Sequence, residues 1–213
     1  ACLARAAQSG AGRGITVVDE NGSREFRSYR QIREYAHRAA AAFQLRDIEP
    51  LDRIVLALPT GFEFLTTYFG ALAAGVTPVP FPVPDRRNEP GKFRRALVET
   101  GRQLQAKAAV LGVDASFWER AGGRATGSFS TVTDLGELFA DVPANITIRK
   151  PRNLPETAYI QLTEGTTGRP RPVALTHRNI TANVRAIGEA LQVKQVDESD
   201  VGVSWIPLHN PLG

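Results

Sequence analysis

Apolar positions recur at three- and four-residue spacing between Ser28 and Arg46: Ile32, Tyr35, Ala36, Ala39, Ala40 and Phe43. That period lines one face of a helix. Ser28 followed by Gln31 is the capping-box pair that starts one. Arg53 to Leu58, RIVLAL, is a short continuous apolar run and predicts a strand buried on both faces. Thr60 and Glu63 form a second capping-box pattern, after which Phe64, Leu65, Tyr68, Phe69 and Leu72 predict a helix that stops at Gly75. Val76 to Pro80 predicts a short strand. The stretch FPVPDRRNEPG that follows is rich in proline and charge and predicts a surface loop.

Further along, a helix is expected over Lys92 to Gln105 and a strand over Ala108 to Leu111. Phe117 to Pro155 is the least regular part by pattern, broken by Gly122-Gly123, Pro143, Pro151 and Pro155. Apolar runs at Ala158 to Leu162 and Val173 to Leu175 predict two strands. Ile180, Val184, Ile187 and Leu191 share one face of a helix, and Val201 to Ile206 predicts a final strand. Strands alternating with helices indicate an α/β domain, a largely parallel sheet flanked by helices. The sequence ends on SWIPLHNPLG, directly after a predicted strand. A strand end ordinarily leads into a loop and helix that cover the sheet, so the chain is expected to be a truncated piece of a longer polypeptide.

Composition narrows the picture. The 213 residues, 42% hydrophobic, suffice for one large domain or one with a small second. No run of 18 apolar residues exists, so no transmembrane segment is expected. The first residues, ACLARAAQSGAGRG, lack the apolar stretch of a signal peptide. The single cysteine, Cys2, leaves no internal disulfide and no Cys-rich metal site, so a reducing, cytoplasmic compartment is expected. The net charge of +4 comes from 22 Arg and 4 Lys against 22 acids. The basic residues are scattered among Asp and Glu without aromatic interleaving, so nucleic acid is not an expected partner.

The segment TEGTTGRPRPVALTHRN, Thr163 to Asn179, carries the candidate chemistry. Glycines let backbone N–H groups approach an anion, and threonine hydroxyls add donors. Gly165, Thr166, Thr167 and Gly168 supply both, and Arg171 supplies a fixed positive charge. No Gly-Lys-Ser/Thr follows, so this is not a Walker loop. By composition alone, an ordinary Gly/Thr turn between two strands fits equally well.

The wording of these motifs resembles the adenylate-forming superfamily: acyl-CoA synthetases, adenylation domains of nonribosomal synthetases and, most nearly, fatty acyl-AMP ligases. The family's loop runs roughly Thr-Ser-Gly-Thr/Ser-Thr-Gly-x-Pro-Lys-Gly-Val, then Thr/Ser-His-x-Asn. Here it runs Thr163 to Val173 and Thr176-His177-Arg178-Asn179, without a gap. SYRQIREYAHRAAAAF is similar to the family's early helix, and DRIVLALPTGFEFLTTYFGALAAGVTPVPF to its strand–helix–strand signature. VSWIPLHNPLG resembles Ser-Trp-Leu-Pro-x-Tyr-His-Asp-Met-Gly, and Ser204-Trp205 with Gln161 favours the fatty acyl-AMP ligase branch. A packed aromatic at a strand end is the plainer reading of Trp205.

The resemblance implies the N-terminal subdomain of an AMP-binding domain over residues 1–213. It implies binding of ATP and Mg²⁺, with Thr163, Glu164, Gly165, Thr166, Thr167, Gly168 and Arg171 at the phosphates. Trp205 is placed near the substrate, and Asn210 and His209 near the reacting carboxylate. The implied reaction joins a fatty or other carboxylic acid to AMP, then passes the acyl group to an acyl carrier protein or CoA. The associated pathways would be lipid metabolism and polyketide or lipopeptide biosynthesis.

Several positions depart from the family pattern. Glu164 stands for a serine, Arg171 for a lysine, and Pro172 for a glycine, which removes an N–H donor. The family's His-Asp falls on Asn210 and Pro211, with His209 one position early. In a strand, that offset turns the side chain to the other face. A degenerate, non-catalytic member kept for acyl or protein binding is therefore the alternative.

Overall fold

The computed structural model describes residues 2–8, 10, 12–83, 89–112, 115–122, 127–143, 147–149, 151–163, 170–191 and 201–210. In chain order the elements are α1 (Cys2–Ala6), β1 (Gly14–Val18), β2 (Arg24–Ser28), α2 (Tyr29–Leu45), β3 (Arg53–Ala57), α3 (Phe62–Ala74) and β4 (Thr77–Pro80). Then come α4 (Pro90–Leu104), β5 (Ala108–Leu111), α5 (Ala115–Arg120), β6 (Thr131–Asp134), α6 (Leu135–Phe139), β7 (Thr157–Thr163), β8 (Arg171–Thr176) and α7 (His177–Ala190).

A four-stranded parallel sheet, in the order β4-β3-β5-β6, forms the centre. The RIVLAL run becomes β3 because both faces of that strand are covered. Ile54 and Leu56 pack with Ala108 and Val110 under α2 and α3. Val55 and Ala57 pack with Ala109 and Leu111 against Phe93, Leu97 and Leu104 of α4. Alternate side chains of one strand thus feed two cores, which gives an α/β fold with helices on both sides of the sheet.

Helix α2 starts as its sequence dictates. Ser28 Oγ accepts from Gln31 N at 3.3 Å, and Gln31 Oε1 accepts from Ser28 N at 2.9 Å. Its buried alanines pack against α3 at close range. A Cβ on Gly70 would lie 2.5 Å from Ala39 Cβ and 2.8 Å from the carbonyl oxygen of Ala36. Tyr35 departs from the expected apolar face and is 41% exposed. Its ring lies 4.9 Å from the Arg27 guanidinium carbon, which also sits 4.5 Å from the Phe62 ring. The guanidinium thus sits between a surface ring and a buried one and ties β2 to α2 and α3.

Three further expectations change. The hairpin β1–β2 is not legible from apolar periodicity. Its turn holds Gly22 at φ +79°, with Asp19 Oδ1 accepting from Asn21 N and Ser23 N. The irregular stretch 117–155 contains most of α5 and all of β6 and α6, and β6 extends the parallel sheet. Val201 to Ile206 is no strand: the segment has no ladder, and Val201, Val203 and Trp205 are more than 80% exposed. Apolar alternation supplies a face, but a strand also needs a neighbour for its backbone groups.

Two antiparallel strands complete the described fold. β7 lies beside β4, where Thr77 Oγ1 donates to Thr157 O at 3.5 Å. β7 and β8 pair from Thr157↔Thr176 to Thr163↔Arg171. No helix among the described residues is long and apolar enough to cross a membrane.

Candidate functional site

In parallel α/β sheets, ligands bind beyond the carboxyl ends of the strands. The end of β3 in the parallel sheet and that of the antiparallel strand β7 converge here on one turn. After β3 the chain passes through Thr60, whose Oγ1 accepts from Leu208 N at 3.0 Å. Near the end of β7, Gln161 Nε2 donates to His209 O at 2.9 Å and also to Leu162 O at 3.2 Å. Asn210 N donates to Pro207 O at 2.9 Å and closes the turn. Leu208 packs against the α2–α3 core.

These contacts correct three expectations from the sequence. Thr60 does not cap α3: the N-cap is Gly61, without a side-chain cap, and the Thr60 hydroxyl is engaged by the 207–210 turn instead. His209 and Asn210 lie in a turn rather than a strand, so the opposite-face argument against His209 does not apply. Trp205 is 87% exposed and is not packed at a strand end.

The Gly/Thr segment leaves the same end of β7. The ladder finishes at Thr163↔Arg171, and Arg171 N donates to Thr163 Oγ1 at 3.2 Å. Residues 164–169 lie outside the described residues, so Glu164, Gly165, Thr166, Thr167 and Gly168 are given no geometry. Thr163 and the exposed Arg171 stand at the two feet of this segment, a hydroxyl and a guanidinium suited to an anion. The Thr-His-Arg-Asn motif has a separate structural task. Thr176 Oγ1 accepts from Asn179 N at 3.1 Å and Asn179 Oδ1 accepts from Thr176 N at 3.0 Å, a capping box that starts α7.

Alternation along β7 sorts its side chains. Ile160 and Leu162 enter the core on the α4 side. Tyr159, Gln161 and Thr163 take the other side, where the Tyr159 ring meets Tyr68 of α3 edge-on, with centroids 6.0 Å apart. Burial raises both tyrosine hydroxyl pKa values, with the neighbouring Tyr159 adding to the rise at Tyr68, so both stay protonated at neutral pH. Gln161 is 7% exposed and faces the turn that carries His209 and Asn210. The sequence by itself marks Gln161 only as a branch indicator and Thr60 only as a cap. The signal for a further role is a lone amide inside the apolar run Ala158 to Leu162.

A groove of about 500 Å³ lies at the opposite end, lined by Arg53, Thr77 and Thr157, the first residues of β3, β4 and β7. Ile160 of β7 and Pro172 and Ala174 of β8 also line it.

Comparison with known proteins agrees with this fold. The AMP-binding enzyme family matches residues 3–213. The medium-chain-fatty-acid–[acyl-carrier-protein] ligase JamA of Moorena producens is 29% identical over 201 residues, covering 91% of this chain and 33% of JamA. The long-chain-fatty-acid–AMP ligase FadD32 of Mycolicibacterium smegmatis is 30% identical over 184 residues, covering 83% of this chain and 27% of FadD32. A structure from a study of fatty acyl-adenylate ligases of E. coli and L. pneumophila superposes with a TM-score of 0.77 at 26% identity, covering 97% of this chain and 36% of that one. The chain thus spans about a third or less of the length of these curated relatives. With the family's model matched from residue 3 to residue 213, this chain belongs to the AMP-binding enzyme family.

Proposed function

We propose that the polypeptide carrying this chain activates a fatty or other carboxylic acid with ATP, and that residues 1–213 form the first subdomain of its AMP-binding domain. The observation that carries this reading is the 207–210 turn, pinned beside the foot of the Gly/Thr segment by Thr60 and Gln161. In the reaction, a carboxylate oxygen bonds to the α-phosphorus of ATP. The bond from that phosphorus to its bridging oxygen breaks, and pyrophosphate leaves. Thr163, Gly165, Thr166, Thr167 and Gly168 hold the phosphates through N–H and hydroxyl donors, and Arg171 offsets their charge. Mg²⁺ would share that charge when bound. His209, Asn210 and Trp205 flank the acid. The thiol sulfur of an acyl carrier protein or of CoA then bonds to the acyl carbon, the bond from that carbon to the AMP oxygen breaks, and AMP leaves as the thiol proton is released. The likeness to JamA supports the carrier protein.

Glu164 favours a second reading, a member that binds acids without activating them. A carboxylate about 4 Å from a phosphate costs on the order of 1–4 kcal/mol. The intact polypeptide, with ATP, Mg²⁺ and a panel of fatty acids, decides between them. Exchange of labelled pyrophosphate into ATP that depends on the acid supports activation; acid binding without exchange supports the second reading. In the same protein, Glu164→Ser should tighten ATP about tenfold, which corresponds to 1.4 kcal/mol. Unchanged affinity on titration would place the carboxylate away from the phosphates.

A further inference from the structure

Gln161 and Thr60 do more than fill space. Each is a polar side chain near the carboxyl end of a different strand, and each takes one backbone group of the same turn. Thr60 Oγ1 receives the N–H of Leu208, and Gln161 Nε2 reaches the carbonyl of His209. The two bonds hold consecutive residues, so they fix both the height and the rotation of the turn. Both amide hydrogens of Gln161 are used, because Leu162 O takes the second. This matters because a buried primary amide is costly unless its donors are satisfied. An apolar residue would fill the same place on β7 without that demand. Gln161 also lies two residues before Thr163, on the same side of β7, and Thr163 anchors the foot of the Gly/Thr segment. One strand therefore carries both the anchor of the turn and the anchor of the segment.

We propose that Gln161, assisted by Thr60, is a positioning residue that sets the distance between the 207–210 turn and the foot of the Gly/Thr segment at Thr163 and Arg171. The two sites stand in a fixed relation because one rigid strand bears both. If the turn flanks the acid and the segment the phosphates, as under the proposed function, Gln161 determines how the two substrates meet without touching either.

The test uses the intact polypeptide and two near-isosteric variants. Gln161→Met removes the donor to His209, and Thr60→Val removes the acceptor for Leu208. Each should keep the circular-dichroism spectrum and a cooperative melt. Hydrogen–deuterium exchange of a peptide spanning residues 206–210 should accelerate about five- to tenfold in each variant, the loss of one hydrogen bond. Acid-dependent pyrophosphate exchange should lose kcat by a similar factor, with KM for ATP unchanged. A purely structural role would leave kcat in step with the fraction folded. Unchanged deuterium uptake in both variants would overturn the two-point hold. Faster uptake with unaltered kcat would overturn the positioning role. If the unmodified protein shows no pyrophosphate exchange, the proposed function fails, and titration with a fatty acid replaces the kinetic arm. The variants should then weaken acid binding about five- to tenfold, and equal affinity would overturn the positioning role.

Discussion

Two adjacent threonines in α3 show how differently one hydroxyl can fare. Thr66 Oγ1 donates to Phe62 O at 2.7 Å, one turn back, so its burial is compensated. Thr67 is fully buried and its Oγ1 has no partner among the described residues. An unmade hydrogen bond at a buried hydroxyl costs about 1–3 kcal/mol. Thr67→Val keeps the shape and removes the hydroxyl, so it should stabilise the 213-residue chain by about 1 kcal/mol, read as a raised urea midpoint at constant slope. Thr66→Val should bring no such gain. The difference is not legible in the sequence, where both are threonines on one helix. Thr60 makes the same point: its spacing from Glu63 fits a cap, and only the fold brings Leu208 within reach.

Helices are the most legible elements, because their periodicity and caps are local. Ser28 and Gln31 form the expected box, and α3 ends at its C-cap Gly75 as its pattern predicts. What local pattern does not encode is how closely two helices approach. Gly70 interrupts α3 where glycine costs about 1 kcal/mol against alanine. The approach of Ala36 and Ala39 explains it. Gly70→Ala recovers that propensity but drives a methyl against a backbone carbonyl that cannot turn aside. Overpacking of about 1–3 kcal/mol should outweigh it, for a net loss of up to about 2 kcal/mol in thermal unfolding. Strands are less legible. β5 follows its apolar run closely, whereas β6, with the short sequence TVTD, is hidden in a stretch broken by glycine and proline. The loop expected over 81–91 ends early for a related reason: proline at position 90 opens α4 rather than blocking it, since the first helical residue needs no N–H partner.

At the scale of the molecule, burial is uneven. Helix α2 buries seven residues, and α7 buries none of its fourteen. The face predicted from Ile180, Val184, Ile187 and Leu191 is correctly helical, yet Val184 and Leu191 are 63% and 70% exposed. Local opening is cheapest where few apolar contacts hold an element. In the 213-residue chain, the amides of α7 should therefore exchange with deuterium before those of α2; the reverse order would show that α7 is held by contacts outside the described residues. The site, in turn, is readable as motifs but not as an assembly. Its motifs lie far apart along the chain, and the bonds that join them are side-chain to backbone, which leaves no periodic trace. The bond from Leu208 to Thr60 spans 148 residues, and that from Gln161 to His209 spans 48. Closing spans of that length opposes folding through chain entropy until the intervening elements are in place. The capped helices and hairpins can form as they are synthesised, from contacts a few residues away. The 207–210 turn cannot, and its hold on Thr60 and Gln161 is expected to form late in folding rather than in the nucleus, so Gln161→Met should speed unfolding and leave the folding rate unchanged in stopped-flow measurements.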